Sequence, residues 1–186
     1  MFDKNSTVGF IGLGNMGSGM TKNLQKNGFK LVVNDVRREA AATLIQNGAI
    51  WADSAKAVAE QSDVVITMLP TPKHVDLVAT GENGILAGLK DGGWWVDMST
   101  SVPEVTDRAR SNWAPKGFHI IDAPVSGMSV GAQNGTLQIF VGSTVDEYHA
   151  LRPVFEGMGD KDRILHVGKH GAGYAVKLMI NQLWFS

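Results

Sequence analysis

The sequence TVGFIGLGNMG, from Thr7 to Gly17, carries the strongest structural signal in the chain. An apolar run leads straight into the spacing G-x-G-x-x-G, and a helical pattern follows, so the glycines stand between a strand and a helix. Gly12 permits a tight turn, Gly14 lets a pyrophosphate approach the backbone, and Gly17 allows the helix to pack closely on the strand. The N-terminus of such a helix favours phosphate, because its N–H groups are free and its dipole is positive there.

Asp35 ends a second apolar run, 18 residues after Gly17. A carboxylate at that point can accept hydrogen bonds from the ribose hydroxyls of a dinucleotide. The combination therefore predicts dinucleotide binding and argues against the alternative, a glycine-rich turn that binds nothing. The same carboxylate would repel a 2′-phosphate, which favours NAD. Arg37 and Arg38 lie just beyond and could neutralise such a phosphate, so NADP remains the alternative.

Short apolar runs alternate with helical patterns along the rest of the chain. Most runs do not alternate polar with apolar residues, which is typical of strands buried on both faces of a parallel sheet. With right-handed crossovers, this order predicts an α/β fold with a Rossmann-like, doubly wound and mostly parallel sheet. The expected strands are Thr7–Leu13, Lys30–Asn34, Val64–Leu69, Trp94–Met98, His119–Ala123, Leu137–Gly142 and Ile164–Val167.

Helix signals lie between these runs. The pattern predicts one helix over Arg37–Asn47, which Gly48 would terminate. Ser101–Glu104 and Thr144–Glu147 both match a capping box, in which the first side chain bonds a backbone N–H of the first turn. We interpret His170, which lies among glycines, as structural or solvent-exposed.

Composition narrows the class of protein. The 186 residues include 17 Lys and Arg against 18 Asp and Glu, and this balance argues against a nucleic-acid partner. The absence of Cys excludes disulfides and thiol nucleophiles and fits a reducing, cytoplasmic location. No apolar run reaches 18 residues, so we expect no membrane segment. No cluster of His, Asp and Glu suggests a metal site.

The final segment places Lys177 and Asn181 four residues apart, on one face of a predicted helix. Gly173, one turn earlier, leaves space for a ligand. A lone helical lysine is more often a solvated surface residue, so the residue types alone do not assign a catalytic role to Lys177. Ser126 and Gly127 follow another strand, where they would either hold a substrate carboxylate or form an ordinary turn.

Four motifs in order resemble those of the β-hydroxyacid dehydrogenase family, which includes 3-hydroxyisobutyrate dehydrogenases and tartronate semialdehyde reductases. They are GLGNMG (12–17), DMST (97–100), DAPVSG (122–127) and GAGYAVKLMIN (171–181). The resemblance implies that Lys177 is the catalytic lysine and that Asn181 orients the substrate. It also implies that Ser126 and Gly127 anchor the substrate, although Met128 departs from the family's usual second glycine. The expected cofactor-binding residues are Gly12, Gly14, Asn15, Met16, Gly17, Asp35, Met68, Leu69, Pro70 and Thr100.

The resemblance further implies reversible hydride transfer between NAD(H) and a small hydroxy acid or its semialdehyde, with Lys177 as general acid and base. Alternatives are a non-catalytic dinucleotide-binding module and an NADPH-dependent enzyme like the imine reductases. We expect a dinucleotide-binding domain over residues 1–170 and the start of an interdomain helix over 171–186. The family's helical C-terminal domain, which closes the site and forms the oligomer, would then be missing, so this fragment is expected to catalyse poorly.

Overall fold

The computed structural model describes residues 1–113 and 117–184, and for residue 184 the backbone only. The last two residues of the expected interdomain helix therefore lie outside the described residues. The strands are β1 (Thr7–Ile11), β2 (Lys30–Asn34), β3 (Ile50–Trp51), β4 (Val64–Thr67), β5 (Trp94–Asp97), β6 (His119–Asp122), β7 (Val125–Ser126), β8 (Leu137–Gly142) and β9 (Gly159–Gly168). The α-helices are α1 (Gly17–Lys26), α2 (Ala42–Gln46), α3 (Ala55–Glu60), α4 (Pro72–Thr80), α5 (Ile85–Gly88), α6 (Pro103–Trp113), α7 (Met128–Asn134), α8 (Val145–Glu156) and α9 (Ala172–Trp184).

The strands form one sheet in the order β3-β2-β1-β4-β5-β6, and these neighbours are all parallel. Strand β8 follows, antiparallel to β6 and β7, and β9 pairs parallel with β8. The strand order reverses between β1 and β4, which is where ligands bind in doubly wound sheets. The α/β fold with a mostly parallel, Rossmann-like sheet is thus confirmed.

Both faces of the sheet are buried, as the continuous apolar runs predict. In β5, Trp95 faces one apolar core and Val96 faces the other, and both are fully buried. The same division holds in β4, where Val65 lies in one core and Ile66 in the other. In the described ranges, no helix has the length and apolar character that crossing a membrane requires.

Several local expectations are wrong in detail. The two-residue strands β3 and β7 carry too short a pattern to be recognised in the sequence. The helix expected over Arg37–Asn47 is a 3₁₀ turn, Arg38–Ala41, followed by the short α2. Strand β8 is antiparallel because only ten residues separate it from β7, and a parallel crossover needs a dozen or more.

The two capping boxes have different outcomes. Thr144 and Glu147 make the reciprocal capping bonds at the start of α8, as predicted. The box at Ser101 is wrong, because its hydroxyl is buried and makes no capping hydrogen bond to the start of α6. Ser101 is only 2% exposed, and α6 begins two residues later, at Pro103.

The Glu147 carboxylate also binds two histidines. His119 Nδ1 lies 2.9 Å from Oε1, and His170 Nε2 lies 2.9 Å from Oε2. His170 therefore has a structural contact, which the glycine-rich sequence around it did not specify. One carboxylate joins the start of α8, strand β6 and the segment that precedes α9.

Because of these contacts, the free energy of unfolding depends on pH and falls in acid. Burial acts to raise the pKa of Glu147, but hydrogen bonds from His170, the Thr144 N–H and His119 outweigh burial and lower the pKa from 4.5 to about 2. A carboxyl whose pKa is lowered in the folded state stabilises the protein above its unfolded pKa, and this stabilisation is lost as the pH falls through the folded pKa.

We therefore expect Glu147→Gln to reduce the free energy of unfolding at neutral pH, with the difference from wild type shrinking between pH 4.5 and about 2. Denaturant titrations across this range measure the difference. Glu156→Gln is the matched control, because Glu156 lies on the same helix in an exposed pair with Arg152. A difference between wild type and Glu147→Gln that is independent of pH would contradict the assignment.

Candidate functional site

A cavity of about 440 Å³ opens where the sheet order reverses between β1 and β4. Its walls come from the loops after β1, β2 and β4 and from the exposed face of α4. The lining residues are Ile11, Gly12, Gly14, Asn15, Met16, Gly17, Asn34, Asp35, Val36, Arg37, Met68, Leu69, Pro70, His74 and Val78. All the expected cofactor-binding residues except Thr100 thus surround one cavity.

The three motif glycines meet different surroundings. Gly12 has φ +99°, and a Cβ there would collide with the carbonyl oxygen of Met68. A Cβ on Gly17 would collide with the carbonyl oxygen of Gly12, so helix α1 can approach its strand only without a side chain. A Cβ on Gly14 would meet no atom within 4 Å. The backbone at Gly14 is therefore open towards the cavity, as a pyrophosphate site requires.

Asp35 has a structural role beside its predicted ribose contact. Its Oδ2 accepts the N–H of Leu13 at 2.6 Å, which ties the glycine loop to the end of β2. Its Oδ1 accepts the N–H of Arg37 at 2.9 Å. The Arg38 guanidinium lies over the Trp51 ring at 5.4 Å, so of the two arginines only Arg37 lines the cavity.

A fully buried carboxylate, Asp97, lies behind the cavity wall at the end of β5. Its Oδ1 accepts the hydroxyls of Thr67 at 2.6 Å and Ser99 at 2.7 Å, and its Oδ2 accepts the hydroxyl of Tyr174 at 2.6 Å. Ser99 Oγ in turn accepts the N–H of Leu69 at 2.8 Å. Burial raises the pKa of Asp97, against the opposing effect of these hydrogen bonds.

A second buried carboxylate, Asp122, holds the start of α9. Its Oδ1 accepts the N–H of Gly171 at 2.6 Å, and its Oδ2 accepts the N–H of Tyr174 at 3.1 Å. These are helix-start N–H groups, which otherwise lack partners. Burial raises the pKa of Asp122, and these two bonds oppose the rise.

Lys177 and Asn181 lie one turn apart on α9, both half-buried. Burial lowers the pKa of Lys177, since removal from water disfavours the ammonium. Ser126 ends β7, and Gly127, at φ +130°, precedes α7. These four residues and Thr100 lie outside the set that lines the 440 Å³ cavity.

Sequence reasoning missed the role of Asp97, Asp122 and Tyr174. The two aspartates enter the sequence-based predictions only as the first residues of the motifs DMST and DAPVSG, with no role assigned to them. A usable signal was present, because each ends a strongly apolar strand, and a carboxylate in such a place needs hydrogen-bond donors around it. In residues 1–113 and 117–184, no group of three or more His, Asp or Glu is arranged to hold a metal ion.

Comparison with known proteins gives a consistent result. A family model described as the NAD binding domain of 6-phosphogluconate dehydrogenase matches residues 7–168. The chain is 41% identical over 176 residues to 3-hydroxyisobutyrate dehydrogenase of Pseudomonas aeruginosa, covering 95% of this chain and 58% of that protein. It is 40% identical over 177 residues to the uncharacterized oxidoreductase YkwC of Bacillus subtilis, covering 95% of this chain and 60% of that protein.

Solved structures agree with these relatives. A Mycobacterium tuberculosis 3-hydroxyisobutyrate dehydrogenase with L-serine superposes with a TM-score of 0.88 at 34% identity, over 97% of this chain and 60% of that one. Psf3 in complex with NADP⁺ superposes with a TM-score of 0.87 at 30% identity, over 95% and 62% of the two chains. The resemblance to the N-terminal portion of β-hydroxyacid dehydrogenases is confirmed. The chain spans about 60% of the length of the relatives it matches.

The glycine geometry predicts two unequal substitutions. Gly17→Ala would push a Cβ into the Gly12 carbonyl, and we expect it to lower the free energy of unfolding by about 1–3 kcal/mol, the usual cost of overpacking. Gly14→Ala enters open space, so we expect little loss of stability. Denaturant unfolding of both variants tests this. Equal destabilisation by the two alanines would contradict the geometry.

Proposed function

The chain belongs to the family of the NAD binding domain of 6-phosphogluconate dehydrogenase, and from this premise we propose that it is the cofactor-binding part of an oxidoreductase. The reaction is hydride transfer between NAD(H) and a small β-hydroxy acid or its semialdehyde. The observation that carries the proposal is the glycine loop, whose backbone is open at Gly14 and whose position is fixed by Asp35 at the point where strand order reverses.

The residues around the cavity suit a dinucleotide. The α1 N-terminus and the open backbone at Gly14 would hold the pyrophosphate. Asp35 would accept the adenosine ribose hydroxyls while keeping its bond to the Leu13 N–H, since a carboxylate has lone pairs for several donors. The Asp35 carboxylate supports NAD over NADP, because it would repel a 2′-phosphate, whereas Arg37 is the one of the two arginines that lines the cavity and could neutralise such a phosphate.

Lys177 is the proposed general acid and base. When bound, the nicotinamide supplies the hydride acceptor. In oxidation of the alcohol, the neutral amine of Lys177 takes the hydroxyl proton, and in reduction the ammonium returns it. Burial already lowers the lysine pKa, so the neutral form is more populated than in an exposed lysine at the same pH. Asn181, one helical turn on, would orient the substrate or the lysine.

Substrate anchoring is proposed for the loop at Ser126 and Gly127. The Ser126 hydroxyl and the nearby backbone N–H groups would bind the substrate carboxylate. The packing of the following helix, α7, against α1 supports this assignment, and there Asn23 Nδ2 donates to the Ala132 carbonyl at 2.7 Å. Gly19 has no Cβ that would collide with the Ala132 backbone, which permits this close approach.

The proposal also includes how the chain is divided into domains. Residues 1–170 form the dinucleotide-binding unit, and the helix that follows carries the catalytic lysine towards a further domain. A homo-oligomeric full-length form and a cytoplasmic location, which the absence of Cys fits, are part of this proposal. A non-catalytic dinucleotide-binding module is the second candidate, because the residues proposed for catalysis and substrate anchoring lie outside the set that lines the cavity.

Turnover separates the two candidates. We expect NAD-linked oxidation of short β-hydroxy acids by the full-length wild type, the form in which the variants are also assayed, since the 186-residue fragment alone is expected to catalyse poorly. Lys177→Ala should lower kcat by about 10²–10⁴-fold, because it removes the proton acceptor, and leave NADH affinity nearly unchanged. A steady-state screen with NAD and NADP, beside calorimetric titration of NADH, measures both effects. NADH binding without turnover on any acid favours the module, whereas turnover of a cyclic imine with NADPH favours an imine reductase.

Cofactor choice tests Asp35. Asp35→Asn keeps one oxygen to accept the Leu13 N–H, loses the bond from the Arg37 N–H and removes the charge, so the glycine loop keeps its attachment to β2. We expect the affinity ratio of NADPH to NADH to rise about tenfold, which corresponds to ~1.4 kcal/mol of relieved phosphate repulsion. Titration of both cofactors measures the ratio. Asp35→Ala is the comparison, because it also removes the acceptor and should weaken both cofactors. An unchanged ratio in Asp35→Asn would refute the role of the charge.

A further inference from the structure

Helix α9 is held to the rest of the chain mainly through its first turn. Gly173 and Tyr174 are buried, whereas every described side chain from Ala175 to Leu183 is half-buried or exposed. Gly173 lacks a Cβ that would collide with the Phe140 carbonyl and the Asp122 carboxylate, so the helix lies directly on the sheet there. The expectation that Gly173 leaves space for a ligand is therefore wrong, because the protein itself fills that space. The contacts that hold Tyr174 in place therefore also set the direction of α9, the helix that carries Lys177.

Tyr174 is connected to the cavity wall by consecutive hydrogen bonds. Its hydroxyl donates to Asp97 Oδ2 at 2.6 Å, and the other oxygen of Asp97 accepts from Ser99 Oγ at 2.7 Å. Ser99 Oγ accepts the Leu69 N–H at 2.8 Å, and Leu69 lines the cavity. Three bonds thus lead from the proposed dinucleotide site to the lysine helix, and both Asp97 and Ser99 are fully buried.

We propose that Asp97 and Tyr174 are positioning residues, which set the position of Lys177 against the wall of the dinucleotide cavity. The inference rests on the proposed function, because Lys177 is the group that they position. Tyr174 precedes Lys177 by three residues, on neighbouring positions of the same helical face and about 4.5 Å apart along the axis. A tilt or rotation at Tyr174 is therefore passed on to the lysine almost unchanged.

The arrangement favours positioning over simple stabilisation. The Asp122 bonds to Gly171 and Tyr174 already satisfy the start of the helix through the backbone, so the Tyr174 hydroxyl is not needed to begin it. The phenol instead reaches across to β5, 77 residues away in sequence. Thr67 occupies the same Asp97 oxygen as Ser99 and is itself bonded by the Trp95 indole, which holds the carboxylate in one orientation.

Tyr174→Phe tests the proposal while keeping the buried ring. The readout is the pH titration of Lys177, followed by competitive amine labelling and peptide mass spectrometry, with NADH affinity measured in parallel. Loss of the bond should loosen the helix and hydrate Lys177. We expect its labelling midpoint to rise by about half a pH unit towards that of exposed lysines. NADH affinity should fall about threefold or more, because the cavity wall loses its support.

Tyr148→Phe is the matched control. Tyr148 is also a buried tyrosine, and its hydroxyl donates to the Ile164 carbonyl at 2.9 Å, which ties α8 to β9 away from the lysine helix. We expect it to lower thermal stability while leaving the Lys177 midpoint and NADH affinity at wild-type values. Ser99→Ala is the second variant. It cuts the connection between Leu69 and Asp97, so it should weaken NADH binding and move the Lys177 midpoint less than Tyr174→Phe does.

A Lys177 midpoint in folded Tyr174→Phe equal to that of wild type would overturn the proposal, leaving the tyrosine a stabilising role only. Equal shifts in Tyr148→Phe and Tyr174→Phe would overturn it as well. These outcomes are independent of catalysis. The proposed function fails instead if wild type does not bind NADH, or if Lys177→Ala retains full turnover, and neither result depends on the labelling midpoint of Lys177.

Discussion

The burial of carboxylates at strand ends is the constraint on which the rest of this structure depends. An ionised carboxylate removed from water is costly unless donors surround it. Asp97 meets this requirement only because hydroxyls from three different parts of the chain converge on it. Burial still raises its pKa, so the donors reduce the cost without cancelling it. The Asp97 carboxylate therefore holds together segments that meet where the strands end at their C-termini.

The same device recurs at two other strands. Asp35, at the end of β2, binds the backbone of the glycine loop, and Asp122, which ends β6, binds the backbone that begins α9. In each case a carboxylate on one strand fixes a loop from another part of the chain. A sheet edge built in this way holds its loops with backbone N–H groups, which are present whatever side chain the loop carries. The loop side chains are then free to contact ligands.

The sequence predicted the parts of the molecule that depend on local pattern. The glycine loop, the buried parallel strands and the capping box at Thr144 are each encoded within a few residues, and the structure contains all three. The parts that it did not predict depend on distant pairing. The contact between Tyr174 and Asp97 spans 77 residues, and the burial of the Ser101 hydroxyl depends on tertiary packing that no local motif records. Site roles drawn from the resemblance, such as that of Lys177, remain proposals.

The distribution of burial along α9 agrees with the demands of acid–base chemistry. A lysine that must gain and lose a proton near neutral pH needs partial removal from water, because full burial would keep it neutral and full exposure would keep it charged. Anchoring the helix at Gly173 and Tyr174 leaves Lys177 half-buried, three residues beyond the last buried side chain. Burial lowers its pKa, and among the described residues no carboxylate contributes an opposing effect. In the proposed arrangement, the anchor at Asp97 therefore affects both where the lysine lies and how readily it gives up its proton.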